Sequence, residues 1–242
     1  MKLACRKHDP ATKKFIWTDE FQLKNVSITS QDTSEGRIYT NHETGERFWS
    51  VTSMLKHTDD SNWLEEWRAR LGEEAARAES ERCKDRGNKI HLAAELYTAN
   101  YPLSAQLSAC GEYKRLFFQL RQALFTHVGD IVAAEMPVMS RMMCVGGKFD
   151  LLAYWRGELA LIDYKGSNHM KTSGQIPSYQ DQLCAYSLAL QETHGVKASR
   201  LVNIIANEKS NAPTILSTTR KEIMPRLAER IRRFKNKMKP LN

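Results

Sequence analysis

The segment GGKFDLLAYWRGELALIDYKG, residues 146–166, constrains the fold of this chain more than any other stretch. Two extended apolar runs flank Arg156-Gly157, which reads as a two-residue hairpin turn. That turn fixes the register, with Trp155 facing Glu158, Leu152 facing Leu161, and Asp150 facing Asp163. Side chains directly opposed in an antiparallel pair lie about 4.5–5.5 Å apart at Cβ, and like charges there are destabilising. Leu151, Ile162, Leu152 and Leu161 make both faces of the hairpin apolar beside the two acids, so water gives little relief. The repulsion calls for a cation. Alternation along the strand places Lys165 on the face of Asp163. A divalent ion would complete the compensation, since Mg²⁺ needs only one or two protein carboxylates beside water and phosphate oxygens. A lysine next to such an ion can orient a water and stabilise charge on a phosphate as an ammonium, or deprotonate the water as a free amine. The simpler alternative is a solvated pair of aspartates with a surface lysine.

The rest of the chain supplies a setting for this hairpin. Ser27 to Gly36 reads as a loop, and RIYT, NHETGE and RFWSVTSML as a hairpin with turn residues Asn41 and Gly45. Trp63, Trp67 and Leu71 follow a helical period, as do Ile90, Ala94 and Tyr97. Between them, Glu73 to Asp85 is so poor in large apolar residues that it reads as a helix exposed on most sides. A third helix runs through Leu107, Cys110, Phe117, Leu120 and Leu124. Extended segments then dominate, IVAAEMPVM before the central hairpin and RLVNIIAN and PTILST after it, with a helix through Tyr179, Leu183, Tyr186 and Leu190 between. This order predicts an α/β core with a sheet covered on both faces.

Further candidates sit around the acidic pair. Glu135 interrupts the apolar run AAEMPV, where a carboxylate is rarely left unpaired, though a solvent-facing edge position would also explain it. His91 lies in RGNKIHLAAE between Gly87 and Glu95, a position equally open to a structural histidine. Tyr179, Gln182 and Tyr186 share one helical face, and a buried amide at Gln182 would need a partner such as the lysine or a phosphate oxygen. Trp49, Trp63 and Trp67 are candidates for base stacking or for core.

Taken together, RGNKIH, AAEMPV, GGKFD, the short hairpin, DYK and YQDQLCAY resemble the PD-(D/E)xK nuclease superfamily, and within it the RecB-type exonucleases, including the mitochondrial genome maintenance exonuclease and its small phage and bacterial relatives. The resemblance implies a restriction-endonuclease-like fold, a central mixed β-sheet flanked by helices, with an N-terminal β-hairpin and a helical arch-like region. It implies one nuclease domain over 1–242, divided into an N-terminal segment (1–60), a helical region (61–128), a catalytic core (129–219) and a basic C-terminal helix (220–242). By the same resemblance His91, Glu135, Asp150, Asp163 and the backbone carbonyl of Tyr164 match metal-binding positions for one or two Mg²⁺ or Mn²⁺ ions. Lys165 matches the catalytic lysine, and Gln182 and Tyr186 the motif of the following helix. The proline usual before the first aspartate is Phe149 here. The implied activity is hydrolysis of DNA from free ends, single strands preferred, in replication, recombination or repair, with a single-strand-binding or annealing protein as a partner. A double-strand exonuclease of the phage recombination type and a non-catalytic DNA-binding scaffold are the alternatives.

Composition agrees with a nucleic-acid substrate only locally. The chain carries 36 Lys and Arg against 28 Asp and Glu, a formal charge of +8. Nine basic and two acidic residues of these lie in 220–242, leaving 27 basic against 26 acidic in the remaining 219 residues. Arg230, Arg233 and Lys237 on that tail, together with Arg86, are the expected DNA contacts. Thr219 and Glu222 suggest a capping box for the terminal helix, but Pro225 argues for a start nearer Met224. The longest apolar run, Leu151 to Trp155, is five residues, far short of the about 20 needed to span a bilayer. The start, MKLACRKHDPATKK, has no signal-peptide or transit-peptide pattern, and cysteines at 5, 83, 110, 144 and 184 show no disulfide or zinc spacing. The expected location is the cytoplasm of a bacterial or phage-infected cell.

Overall fold

The structure, a computed structural model, describes residues 14–59, 61–238 and 241, and for Trp63 and Ser173 the backbone alone. Cys5, the basic start of the chain and Lys239 lie outside the described residues.

Three short strands come first, β1 (Ile28–Asp32), β2 (Arg37–Asn41) and β3 (Arg47–Ser50). The stretch read as a loop therefore contains β1, which pairs antiparallel with β2 from Ile28–Asn41 to Asp32–Arg37. Helix α1 (Val51–His57) replaces the second half of the expected hairpin. Ser50 is the reason: its hydroxyl accepts from the Ser53 amide at 2.9 Å, so the chain turns into a helix although Val51 and Thr52 favour a strand.

Helices α2 (Trp63–Leu71) and α3 (Glu73–Thr98) follow, the charged stretch and the His91 segment forming one helix of 26 residues. The third expected helix is broken into α4 (Leu103–Cys110) and α5 (Lys114–His127). Gly111, at φ 53°, ends α4 in a conformation that other residues adopt at a cost. Strands β4 (Val128–Ser140), β5 (Val145–Trp155) and β6 (Glu158–Ser167) precede α6 (Pro177–His194), β7 (Arg200–Asn207), β8 (Thr214–Thr219) and α7 (Arg220–Lys237).

The sheet runs β1-β2-β3-β5-β6-β7-β8, with β4 on the remaining edge of β5. Its β3–β5 and β6–β7 pairs are parallel and the others antiparallel, so the sheet is mixed. Two apolar cores flank it. Val51, Met54, Leu183, Ala189, Leu227 and Phe234 build one with α1, α6 and α7, and Ile90, Phe117, Leu120 and Leu124 build the other with α3 and α5. Both faces of β5 and β6 are thus buried, which is why these strands read as nearly continuous apolar runs.

Capping by Thr219 and Glu222 does begin α7, with the Thr219 amide donating to Glu222 Oε2 at 2.6 Å, and Pro225 lies inside the helix. Some of the tail's cations meet acceptors of the protein itself. Arg226 Nε donates to Asp181 Oδ1 at 2.8 Å, and Arg230 Nε lies 3.2 Å from Asp181 Oδ2. Arg233 donates to the Thr58 carbonyl at 3.0 Å and Lys237 to that of His57 at 3.2 Å. Among the described residues no helix is long and apolar enough to cross a membrane.

Candidate active site

The hairpin forms with the expected register, from Trp155–Glu158 to Leu151–Ile162. Arg156 (φ 51°) and Gly157 (φ 87°) supply the two positive φ values that a tight turn of this kind requires. The ladder stops one pair before the two aspartates. There the strands part, and the Tyr164 amide donates to Asp150 Oδ2 at 2.7 Å. Asp150 and Asp163 are close without forming the expected cross-strand pair.

The parting belongs to a larger gap. One edge of β5 is covered by β4 from Val145 to Trp155. Along the other edge, β3 pairs only at Val145 and Gly146, and β6 only from Leu151 onward. Gly147 to Asp150 therefore have no strand partner there among the described residues. Tyr186, from α6, packs over the sheet face at Gly147: a Cβ there would lie 2.8 Å from its Cε1 and 2.9 Å from its hydroxyl.

Asp163 is 2% exposed. Its Oδ1 accepts from Lys165 Nζ at 2.5 Å, and its Oδ2 from Asn203 Nδ2 at 3.0 Å. Burial pushes its carboxyl up, opposed by the Lys165 ammonium. For Lys165 burial acts against the charge, but Asp163 and Asp150 outweigh it and raise its pKa. Lys165 is thus an ammonium here, suited to donating rather than to taking a proton. It lies 5.5 Å from the centre of the Tyr179 ring. Gln182, expected to hold the lysine or a phosphate, instead directs Nε2 toward the Tyr186 hydroxyl at 3.5 Å.

From α3, His91 reaches the same place. Its Nε2 lies 2.6 Å from the Tyr164 carbonyl and its Nδ1 3.4 Å from Asp150 Oδ2. Glu135 on β4 lies level with Asp150, since Ala134–Leu151 and Met136–Phe149 pair on either side. Burial, then Asp150 and then Glu95, push its carboxyl up to about 7. Glu95, one turn after His91, is an acid of this site that the sequence reading passed over. Its spacing from His91 was the available signal. Asn203 was also passed over, although a polar residue inside LVNIIA is conspicuous.

These residues suit a hard divalent cation in their chemistry: carboxylate oxygens and one imidazole, with Glu135 held against two other acids. They share a neighbourhood but do not converge as a finished ligand set; among the described residues no three His, Cys, Asp or Glu side chains do. Glu135, Asp150, Asp163 and His91 would hold such an ion, with the Tyr164 carbonyl already engaged by His91.

Of the expected DNA contacts, Arg86 and Arg230 are buried. Arg86 is 3% exposed, donating to Glu208 Oε1 at 2.6 Å, Asn168 Oδ1 at 2.5 Å and the Gly166 carbonyl at 3.1 Å. It joins α3 to the end of β6 and does not face solvent. Arg230 is buried against Asp181, whereas Arg233 is half-buried and Lys237 exposed, each donating to a carbonyl at the end of α1. Trp49 is 3% exposed and packs edge-on to His57, so it is core; the Trp63 side chain lies outside the described residues.

Two acids and a lysine at the parting of two central strands, in a mixed sheet flanked by helices, define a nuclease of the restriction-endonuclease-like class. A family profile agrees: that of the PD-(D/E)XK nuclease superfamily matches residues 42–240, and the chain belongs to that superfamily. No curated protein sequence matches it significantly. Among solved structures it is similar to a Eubacterium rectale protein provisionally named an exonuclease, at 12% identity and TM-score 0.40, covering 61% of this chain and 66% of that one. It is also similar to Can2 of Sulfobacillus thermosulfidooxidans, solved with cyclic tetra-adenylate, at 13% identity and TM-score 0.23, covering 84% and 62%. The chain thus spans just under two thirds of each. At these scores the assignment rests on the family match.

Proposed function

We propose that this nuclease is a Mg²⁺- or Mn²⁺-dependent exonuclease that hydrolyses phosphodiester bonds from free DNA ends, preferring single strands. The observation that carries the metal-dependent reading is the arrangement of Asp163 between Lys165 and Asp150, with Glu135 and His91 alongside. A bound divalent ion supplies Lewis acidity toward a phosphate oxygen and the attacking water. Lys165 donates toward that water or the phosphate, from a position set by Asp163 and the Tyr179 ring. His91 and the Tyr164 amide orient Asp150. Tyr186, with Gln182 directed at its hydroxyl, covers the sheet at Gly147 beside the acids. Dependence on free ends and on single strands follows the resemblance to RecB-type exonucleases, as do the cytoplasm, a role in replication, recombination or repair, and a single-strand-binding or annealing partner.

The test is digestion of end-labelled linear single-stranded, linear double-stranded and circular single-stranded DNA with Mg²⁺ or Mn²⁺. The wild type is expected to degrade the linear single strand fastest and spare the circle, and Lys165→Ala to be slower by about 10²–10⁴-fold. Equal cleavage of circle and linear strand overturns end dependence. Faster loss of the duplex selects the double-strand exonuclease, and binding without any cleavage selects the scaffold.

A further inference from the structure

Asn203 stands where the sequence predicts an apolar residue. It is the sole polar residue in the run Leu201 to Ala206, is 1% exposed, and has fully buried neighbours Val202 and Ile204. Burying an amide without partners costs a few kcal/mol, so its presence demands a specific acceptor. In the parallel β6–β7 ladder Asn203 lies beside Asp163, and its Nδ2 donates to Asp163 Oδ2 at 3.0 Å.

The consequence follows from the inventory of Asp163. Its carboxylate is buried and its two oxygens have different partners, Lys165 on Oδ1 and Asn203 on Oδ2. Lys165 sits on a flexible stem, whereas Asn203 is fixed in a central strand between two packed neighbours. When Lys165 turns to water or phosphate, Asn203 is the donor that stays.

We propose that Asn203 is a positioning residue: it holds Oδ2 and fixes the plane of the Asp163 carboxylate, leaving Oδ1 to serve a divalent ion and Lys165. This rests on the metal-dependent reading above. Neighbours that orient a metal ligand typically change affinity or activity by about 10–100-fold when removed.

The experiment is isothermal titration of Mn²⁺ into the nucleic-acid-free protein, wild type against Asn203→Leu, which keeps the branched shape and removes the donor. Thermal unfolding is followed in parallel, and Asn203→Ser serves as a second variant if the leucine form does not fold. The expected result is a Mn²⁺ affinity weaker by about 10–100-fold with a cooperative unfolding transition retained. In cleavage assays the Mn²⁺ concentration for half activation rises by the same factor, KM for the oligonucleotide does not move, and saturating Mn²⁺ restores most of the rate. Unchanged Mn²⁺ affinity in a folded variant overturns the role of Asn203 and leaves the metal-dependent reading standing. A loss of rate that no Mn²⁺ concentration restores also overturns it. A wild type that binds no Mn²⁺ overturns both.

Discussion

Glu135 has a left-handed backbone, φ 51°, inside β4, while the residues on either side keep their pairing with β5. A residue other than glycine held there costs about 1–3 kcal/mol, and such strain concentrates at functional sites. Its carboxyl is also pushed up by burial and by Asp150 and Glu95. Backbone and charge are therefore both unfavourable at one position. Two substitutions separate them, since Glu135→Ala removes the charge and Glu135→Gly removes charge and strain. In urea unfolding the glycine variant is expected to be more stable than the alanine variant by about 1 kcal/mol or more, with Mn²⁺ binding weakened equally in both. Equal stability would show that the left-handed conformation stores no strain. His194 gives a second residue-scale expectation. Its Nδ1 accepts from the Lys24 amide at 3.1 Å, and its Nε2 lies 2.9 Å from the Pro137 carbonyl, contacts that only the neutral ring satisfies together. Burial lowers its pKa, aided by the Lys24 charge. The unfolded chain takes up the proton first, so this stability is present above the unfolded value of about 6.5 and is lost as pH falls through the folded one. His194→Gln keeps a donor and an acceptor without titrating. The stability difference between wild type and this variant is expected to shift against the wild type between about pH 7 and 5, as urea unfolding at both values would show.

Among the elements, α7 departs most from its sequence reading. Its charge suggested a phosphate-binding face, yet Arg226 and Arg230 meet Asp181, which is fully buried on α6 and one residue before Gln182. The helix thereby ties down the element that carries Gln182 and Tyr186. Removing one partner of a buried ion pair typically costs about 3–5 kcal/mol, because the other charge stays behind. Because Asp181 has two partners, the double variant Arg226→Met, Arg230→Met is expected to destabilise by that order in urea unfolding, and Asp181→Leu in the same background to recover most of the loss; no recovery would mean that packing, not charge, accounts for the contact. The sequence was legible where the information is local. The Arg156-Gly157 turn, the hairpin register and the shared face of Asp163 and Lys165 follow from period and turn chemistry alone. What it left unread depends on partners far along the chain: β1 exists through β2, and Arg230 is buried because Asp181 is there. Asn203 and Glu95 were missed for a related reason, since their neighbours come from other elements.

At the scale of the molecule, the sheet explains the site. Strands β5 and β6 are central and buried on both faces, so acids at their parting are largely shielded from solvent while still open to His91 from α3. Most of the +8 charge lies on α7, where Arg230 is turned to a buried carboxylate while Lys221, Arg232, Lys235 and Lys237 remain exposed. Attraction to a polyanion is therefore strongest on the outer face of that helix. The packing of Tyr186 over β5 has a consequence of its own. Tyr186 occupies the volume that a side chain at 147 would need, so the two positions share one allotment of space. A methyl group at 147 would push the Tyr186 ring aside, so the size of one residue sets the place of the other.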